Sequence, residues 1–200
     1  MSGTWPMPPK PNSLRVQSWY PSMVSVSHNL TRQTRSRGGQ RWLFELMYRS
    51  LSQADFRTLF AFLVAQNGQY ETFSFSPPLL KDARGAATTS PTVDGASQIG
   101  RSINTTGWNV STSGLLLKGD FISFAGHPKV YVVSADVDSD GAGDAVVAFE
   151  PALMASPADA AAITYKDVAW TCALAEDYAT LDIEPPDRSP LNVKFIEAMQ

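Results

Sequence analysis

The segment from residue 117 to 151, LKGDFISFAGHPKVYVVSADVDSDGAGDAVVAFEP, constrains the fold more than any other part of the chain. Side chains alternate with a period of two along residues 121–125, 130–135 and 145–149, and many of them are β-branched or aromatic. Turn-forming Gly-Asp, Gly-His-Pro and Asp-Gly pairs and triplets interrupt these runs. This pattern predicts a β-meander of three short strands. A meander without an evident reactive group indicates a module that presents a surface.

Composition narrows the class of protein. Two hundred residues suffice for one large domain or two small ones with a real core. No apolar run is long enough to span a bilayer, so no membrane partner is expected. Prolines stand where a signal peptide has its apolar core, and the single cysteine, Cys172, fits synthesis in a reducing cytoplasm. The net charge of −3 gives no reason to expect nucleic-acid binding.

Outside the meander, the sequence predicts a mainly β fold with one α-helix. Residues 31–37 and 40–48 alternate and are expected to form a hairpin over Gly38-Gly39. Ser52 is the predicted N-cap of a helix, with Asp55 three residues later, and Asn67-Gly68 ends it. The helix carries an apolar stripe of Phe56, Leu59, Phe60 and Leu63 that should pack on a sheet. Further strands are expected at 71–76, 97–103, 168–174 and 191–198.

The domain organisation follows from changes in composition. Residues 1–12 contain four prolines and are expected to form an extended N-terminal arm, either disordered or laid on a neighbouring subunit. From about residue 81, Gly, Ala, Ser and Thr replace aromatic residues. We therefore expect a β-sandwich-like discontinuous domain, 13–80 plus 163–200, with an inserted small β-barrel or meander module at 81–162.

An acidic turn in the meander partly matches a calcium-binding loop. Asp136, Asp138, Asp140 and Asp144 occupy positions one, three, five and nine, and Gly141 occupies position six. Position twelve, usually a bidentate Glu, is Val147, and no flanking helices are expected. The alternative is a polar hairpin turn, because Asp and Gly are ordinary turn formers. Apart from this Ca²⁺ hypothesis, no cofactor is expected.

Four arginines, Arg32, Arg35, Arg37 and Arg41, lie within ten residues. They are candidate subunit contacts, because separated basic and acidic patches allow copies of one chain to associate. One alternative is that the arginines form a solvated face without a partner. Another is that they bind the phosphates of a nucleic acid, with Trp42 as a stacking partner. Successive strand residues point to opposite faces, so the arginines need not converge on one phosphate-binding surface. We therefore favour contact with acidic residues of another subunit.

Groups suited to catalysis are sparse. The chain has two histidines, His28 and His127, and Cys172 falls mid-strand on an apolar face where a core role is expected. No nucleophile elbow or phosphate-binding loop is present in the sequence. Glu176 and Asp177 are adjacent and would face opposite ways on a strand, which makes them a poor acid–base pair. The sequence therefore predicts no enzyme.

The order of these elements resembles a known family. The segment RGGQRWLFEL, the helix SQADFRTLFAFLVAQNGQYETF and the extended Pro-Pro segment are similar to the N-terminal region of tailed-bacteriophage distal tail and minor tail proteins. The meander resembles the inserted β-module of phage tail-tip proteins, and VAWTCALAED and NVKFIEA resemble the returning strands. The resemblance covers most of residues 13–198 and brings no catalytic residues.

The resemblance implies a virion structural protein of the phage tail, made in the host cytoplasm. Members of the family form rings, commonly hexamers, that link the tail tube to tail-tip or baseplate hub proteins. The module is inserted here, whereas in many members the second domain follows the first, so the position in the tail stays open. Alternatives are a tail tube protein, or a β-module that binds glycans or a host surface through aromatic residues such as Trp108 and Tyr131.

Overall fold

The computed structural model describes residues 2–7, 9–180 and 189–199. In these residues the chain has thirteen strands and one α-helix, and it divides into two compact units. The elements are β1 Ser13–Trp19, β2 Ser22–Val26, β3 Arg32–Ser36, β4 Arg41–Leu51, α1 Gln53–Ala65, β5 Phe73–Phe75, β6 Thr92–Val93, β7 Ser102–Thr106, β8 Phe121–Phe124, β9 Val130–Val133, β10 Ala145–Glu150, β11 Ile163–Thr164, β12 Trp170–Leu174 and β13 Ser189–Glu197.

The predicted fold class, mainly β with one helix and with a small barrel-like module inserted in a discontinuous β domain, is confirmed. Unit 1 comprises Met1–Phe75 and Thr171–Ala198, and unit 2 comprises Ser76–Trp170 with Met199–Gln200. The expected junctions at 81 and 162 lie several residues inside these bounds.

Unit 1 is a five-stranded sheet, in the order β1-β4-β13-β12-β5, with α1 against β4 and β13. Alternate residues of the central strands are buried because one face of the sheet packs on the helix. The helix begins as predicted: the Ser52 hydroxyl accepts the Asp55 N–H at 3.2 Å. The core is aromatic, with Phe73 and Phe195 in an edge contact at 4.9 Å and Phe44 and Phe75 at 5.3 Å.

The N-terminal segment differs from the expected arm. Residues 2–5 lie along β5, with the Trp5 N–H donating to the Ser74 carbonyl at 2.8 Å and the Ser74 N–H to the Gly3 carbonyl at 2.9 Å. The Trp5 side chain is only 3% exposed. Because this indole fills the core of its own unit, the expectation of a segment that is disordered or laid on a neighbour is wrong for these residues.

The predicted hairpin over Gly38-Gly39 is also wrong. β3 pairs with β2, and β4 pairs with β1 and β13, so Gly38-Gly39 separates two strands that do not pair with each other. Both glycines have φ near +70°, a conformation that Gly adopts readily, and they redirect the chain. The true turn lies at residues 27–31, where the Ser27 N–H donates to the Thr31 carbonyl at 3.0 Å.

Unit 2 is a six-stranded, nearly closed barrel-like sheet in the order β11-β8-β9-β10-β7-β6. The predicted meander forms its β8, β9 and β10. The two ends of the sheet approach each other, because the Val93 N–H donates to the Ala161 carbonyl at 2.9 Å. The interior is filled by apolar side chains, including Ile122, Val147 and Phe149.

The strand expected at 97–103 begins instead at Ser102. The Gln98 side chain explains the difference, because its amide donates to the Asp94 carbonyl at 2.7 Å and its carbonyl accepts the Asn104 N–H at 2.7 Å. The side chain thus takes hydrogen bonds that a paired strand would otherwise provide.

Candidate functional site

The two strands β2 and β3 form a separate two-stranded sheet, which we call the ribbon (residues 22–36). Pro21 and Gly38-Gly39 separate it from the five-stranded sheet, and the Arg37 N–H donates to the Pro21 carbonyl at 3.0 Å at its base. At about 3.3 Å per residue, each five-residue strand extends about 17 Å. The ribbon is therefore an arm of unit 1 held by its own cross-strand pairing.

Every residue of both ribbon strands is exposed. Cross-strand partners share a face in an antiparallel pair, so Val24, Val26 and Arg32 lie on one face and Met23 and Arg35 on the other. A two-stranded hairpin with neither face covered is only marginally stable in water. The ribbon therefore has two faces and two edges that a partner can cover.

Exposed apolar side chains concentrate at the ribbon. Six of the fifteen large apolar side chains that are exposed in the described residues fall between positions 19 and 30. They are Trp19, Tyr20, Met23, Val24, Val26 and Leu30, with exposed fractions from 49% to 83%. Scattered single apolar residues need no explanation, but a concentration of this kind marks an interaction surface.

The four candidate arginines are all exposed, and the structure does not gather them on one face. Three of them lie opposite an exposed apolar residue: Arg32 opposite Val26, Arg35 opposite Met23, and Arg41 opposite Trp19 on the outer side of β4. Arg37 follows the end of β3. None of the four forms an ion pair with a described residue.

The charge around the ribbon has one sign. Residues 1–44 contain six lysines and arginines and no aspartate or glutamate, although the whole chain has a net charge of −3. The sequence shows this asymmetry directly, and it is the signal that could have singled out the ribbon. The alternation of side chains could not have singled out the ribbon, because exposed and buried strands have the same period of two.

In the acidic turn between β9 and β10, hydrogen bonds within the protein engage three of the four aspartates proposed for calcium. The Asp138 carboxylate accepts the Gly114 N–H and the Ser113 hydroxyl, both at 2.7 Å, and the Asp140 carboxylate accepts the Ala142 and Asp144 N–H groups at 2.8 and 2.9 Å. These hydrogen bonds lower the pKa of both carboxyls. They turn the oxygens toward backbone groups instead of a common centre.

Asp136 accepts the Lys118 N–H at 2.7 Å, and Asp144 is exposed. Within the part of the chain that the structure describes, no group of three or more His, Cys, Asp or Glu side chains could hold a metal ion. The hydrogen bonding of this segment is that of a polar turn, the alternative that the sequence offered.

The two aromatic residues considered for glycan stacking are buried. Trp108 is in the barrel core, where its indole N–H donates to the Thr105 hydroxyl at 2.7 Å. Tyr131 packs between Phe124 and Phe149, with ring centroids at 5.5 and 5.1 Å. Neither ring exposes a face on which a sugar could stack, so the hypothesis that these two residues bind glycans is wrong.

The candidate reactive groups lie in different environments. Cys172 is fully buried, as predicted, and burial raises the pKa of its thiol, with the Glu197 carboxylate adding to the shift. His28 is exposed at the ribbon turn, whereas His127 lies in the turn before β9 of unit 2. Among the helices of the described residues, none is long and apolar enough to cross a membrane.

No protein-family model matches this chain, and no curated protein sequence matches it. The similarity to phage tail proteins stays a hypothesis based on the order of the elements.

Proposed function

We propose that this chain is a virion structural protein of a phage tail, a ring-forming distal tail component that links the tail tube to tail-tip or hub proteins. The observation that carries the proposal is the ribbon, a two-stranded sheet with every strand residue exposed and with apolar and arginine side chains on both faces. The resemblance in element order supplies the class of assembly, commonly six-fold. Its partners are further copies of itself and the adjoining tail proteins.

The physical reason for self-association is the cost of leaving the ribbon uncovered. Fully burying a Val, Leu or Met side chain is worth about 1.5–3 kcal/mol, so covering the exposed half of each is worth about 1 kcal/mol. Met23, Val24, Val26 and Leu30 together give roughly 4 kcal/mol, and docking also covers the open strand edges. A partner therefore stabilises the ribbon and the assembly at once.

A ring follows if the ribbon contacts a different surface of the next copy. Such a contact is heterologous, and repeating it generates a closed ring when the rotation between copies closes. A rotation that does not close produces an open filament instead, which is the form expected of the tail-tube alternative.

The experiment compares the wild-type chain with a ribbon-deleted variant. Sedimentation velocity at micromolar concentration and negative-stain microscopy should show discrete rings for the wild type. In the variant, Asn-Gly replaces residues 22–36, which is sterically reasonable because the Arg37 N–H already donates to the Pro21 carbonyl. The variant should sediment as a monomer, and its circular dichroism should show that it is folded.

A pair of point variants gives a matched control. Val26 and Val64 are similarly exposed, at 57% and 55%, but Val64 lies on α1. Val26→Asp should weaken assembly and Val64→Asp should not. A wild-type chain that stays monomeric at high micromolar concentration would contradict the proposal, and long tubes would favour the tail-tube alternative.

A further inference from the structure

We infer that the ribbon of one copy docks on the acidic turn of unit 2 (residues 136–144) in the next copy. This inference rests on the proposed self-assembly and names the surface that receives the ribbon. The two surfaces carry opposite charge: the ribbon strands hold two arginines, one on each face, and the turn holds four aspartates within nine residues.

The acidic turn has carboxylates left over for a partner. Elsewhere in the described residues, five acids form salt bridges with lysine or arginine (Glu45, Asp120, Glu150, Asp167 and Glu176), and six form none with a described residue (Asp55, Glu71, Asp82, Asp94, Asp159 and Asp177). None of the four aspartates of the turn forms a salt bridge with a described residue, and all four are exposed. Their negative charge is therefore uncompensated by described cationic side chains in the free chain.

The turn is held in a fixed shape before a partner arrives. The loop at 108–111 runs beside it, with the Trp108 N–H donating to the Gly143 carbonyl at 3.0 Å and the Ser111 N–H to the Asp140 carbonyl at 2.7 Å. Gly143 has φ +84°, and a Cβ there would lie 2.7 Å from the Trp108 carbonyl oxygen, so only glycine fits. A rigid surface loses little conformational freedom on binding.

Exposed apolar side chains lie close to the aspartates of the acidic turn, as they also lie close to the arginines of the ribbon. Val110 lies beside Gly143, and its side chain is 61% exposed. Val146, two residues after Asp144, is also 61% exposed. The ribbon presents Val24 and Val26 next to Arg32 on one face. Both surfaces thus combine half-exposed valines with charges of opposite sign, which favours a second copy of this chain as the partner.

The test exchanges the charges. Arg32→Glu/Arg35→Glu makes the ribbon strands acidic, as the turn already is, and Asp136→Lys/Asp144→Lys cancels the net negative charge of the turn. Each variant alone should associate at least about tenfold more weakly than the wild type in sedimentation velocity. A one-to-one mixture should assemble again, because the basic ribbon of the turn variant then meets an unchanged acidic turn, and the acidic ribbon of the other variant meets a turn that carries two lysines. Restored assembly in the mixture supports a ribbon-to-turn contact between different copies.

Matched controls separate this inference from the proposed function. Arg57→Glu/Lys166→Glu makes the same change in net charge at exposed sites outside both surfaces and should assemble as the wild type does. If the wild type assembles but the exchanges have no effect, or the mixture is not restored, the docking inference is overturned while self-assembly stands. If the wild type does not assemble, and its ribbon instead binds single-stranded polynucleotide or anionic vesicles, both are overturned.

Discussion

Trp5 and Trp19 provide a test that separates folding from assembly. Trp5 is 3% exposed, lies 4.7 Å from Phe195 and 5.4 Å from Phe62 between ring centroids, and donates its indole N–H to the Tyr48 hydroxyl at 3.2 Å. Trp19, at the end of β1, is 50% exposed. Trp5 should therefore stabilise the folded monomer, and Trp19 should contribute to the contact between copies.

Truncation at the two positions should have different magnitudes. Trp5→Ala removes a buried aromatic side chain and leaves a cavity, which costs about 3–5 kcal/mol of unfolding free energy. With an m-value of about 2 kcal/mol/M, the urea midpoint should fall by about 2 M. Trp5→Phe keeps most of the packing but loses the hydrogen bond, so about 1–2 kcal/mol is expected. Trp19→Ala should change folding stability by about 0.5 kcal/mol or less.

The assay is urea unfolding followed by far-UV circular dichroism, at a concentration low enough to keep the chain monomeric. Sedimentation velocity on the same variants should show weaker assembly for Trp19→Ala. A Trp5→Ala variant within about 1 kcal/mol of the wild type would refute the inclusion of the N-terminal segment in the core. A Trp19→Ala variant that unfolds as easily as Trp5→Ala would refute the separation of the two roles.

Three further predictions concern single groups. The buried Asp120 carboxylate accepts the Arg84 Nε–H and the Leu117 N–H, both at 2.9 Å, so Asp120→Ala, which leaves the Leu117 N–H without its acceptor, should destabilise the chain by about 1–3 kcal/mol in urea unfolding. Hydrogen bonds hold the pKa of Asp138 and Asp140 below the ordinary value of 3.8, so their stabilisation is present above that pH and lost as the pH falls through the lowered pKa. The difference in melting temperature between wild type and Asp138→Asn/Asp140→Asn should therefore shrink as the pH is lowered below 3.8, and a difference that stays constant as the pH falls would contradict this. Burial raises the pKa of Cys172, so Ellman's reagent should react with it only after unfolding, and rapid reaction of the native chain would place the thiol at the surface.

The sequence predicts those parts of the fold that local chemistry determines. The helix starts at Ser52 because a hydroxyl there can accept the N–H of Asp55, and three residues of its predicted stripe, Phe56, Leu59 and Leu63, are buried. The meander strands follow from alternation between glycine-bearing turns. Alternation also predicted the burial of Cys172 in β12.

Pairing and burial were harder to predict, because they depend on residues far apart in the chain. Gly38-Gly39 has the composition of a hairpin turn, but β4 gains more by pairing along its length with β1 and β13 than by folding back on β3. Trp108 lies in a loop, and no periodicity indicates that its indole enters the barrel core. The ribbon shows a strand pattern, but only its tertiary surroundings determine that both faces are open to solvent.

Hydrogen exchange tests the central role of the ribbon most directly. In an antiparallel ribbon, amides that point away from the partner strand are open to solvent at both edges. Amide exchange measured by mass spectrometry, at concentrations below and above the onset of assembly, should show new protection of peptides covering residues 22–36. Self-association that leaves exchange in these peptides unchanged would contradict the assignment of the ribbon as the assembly element.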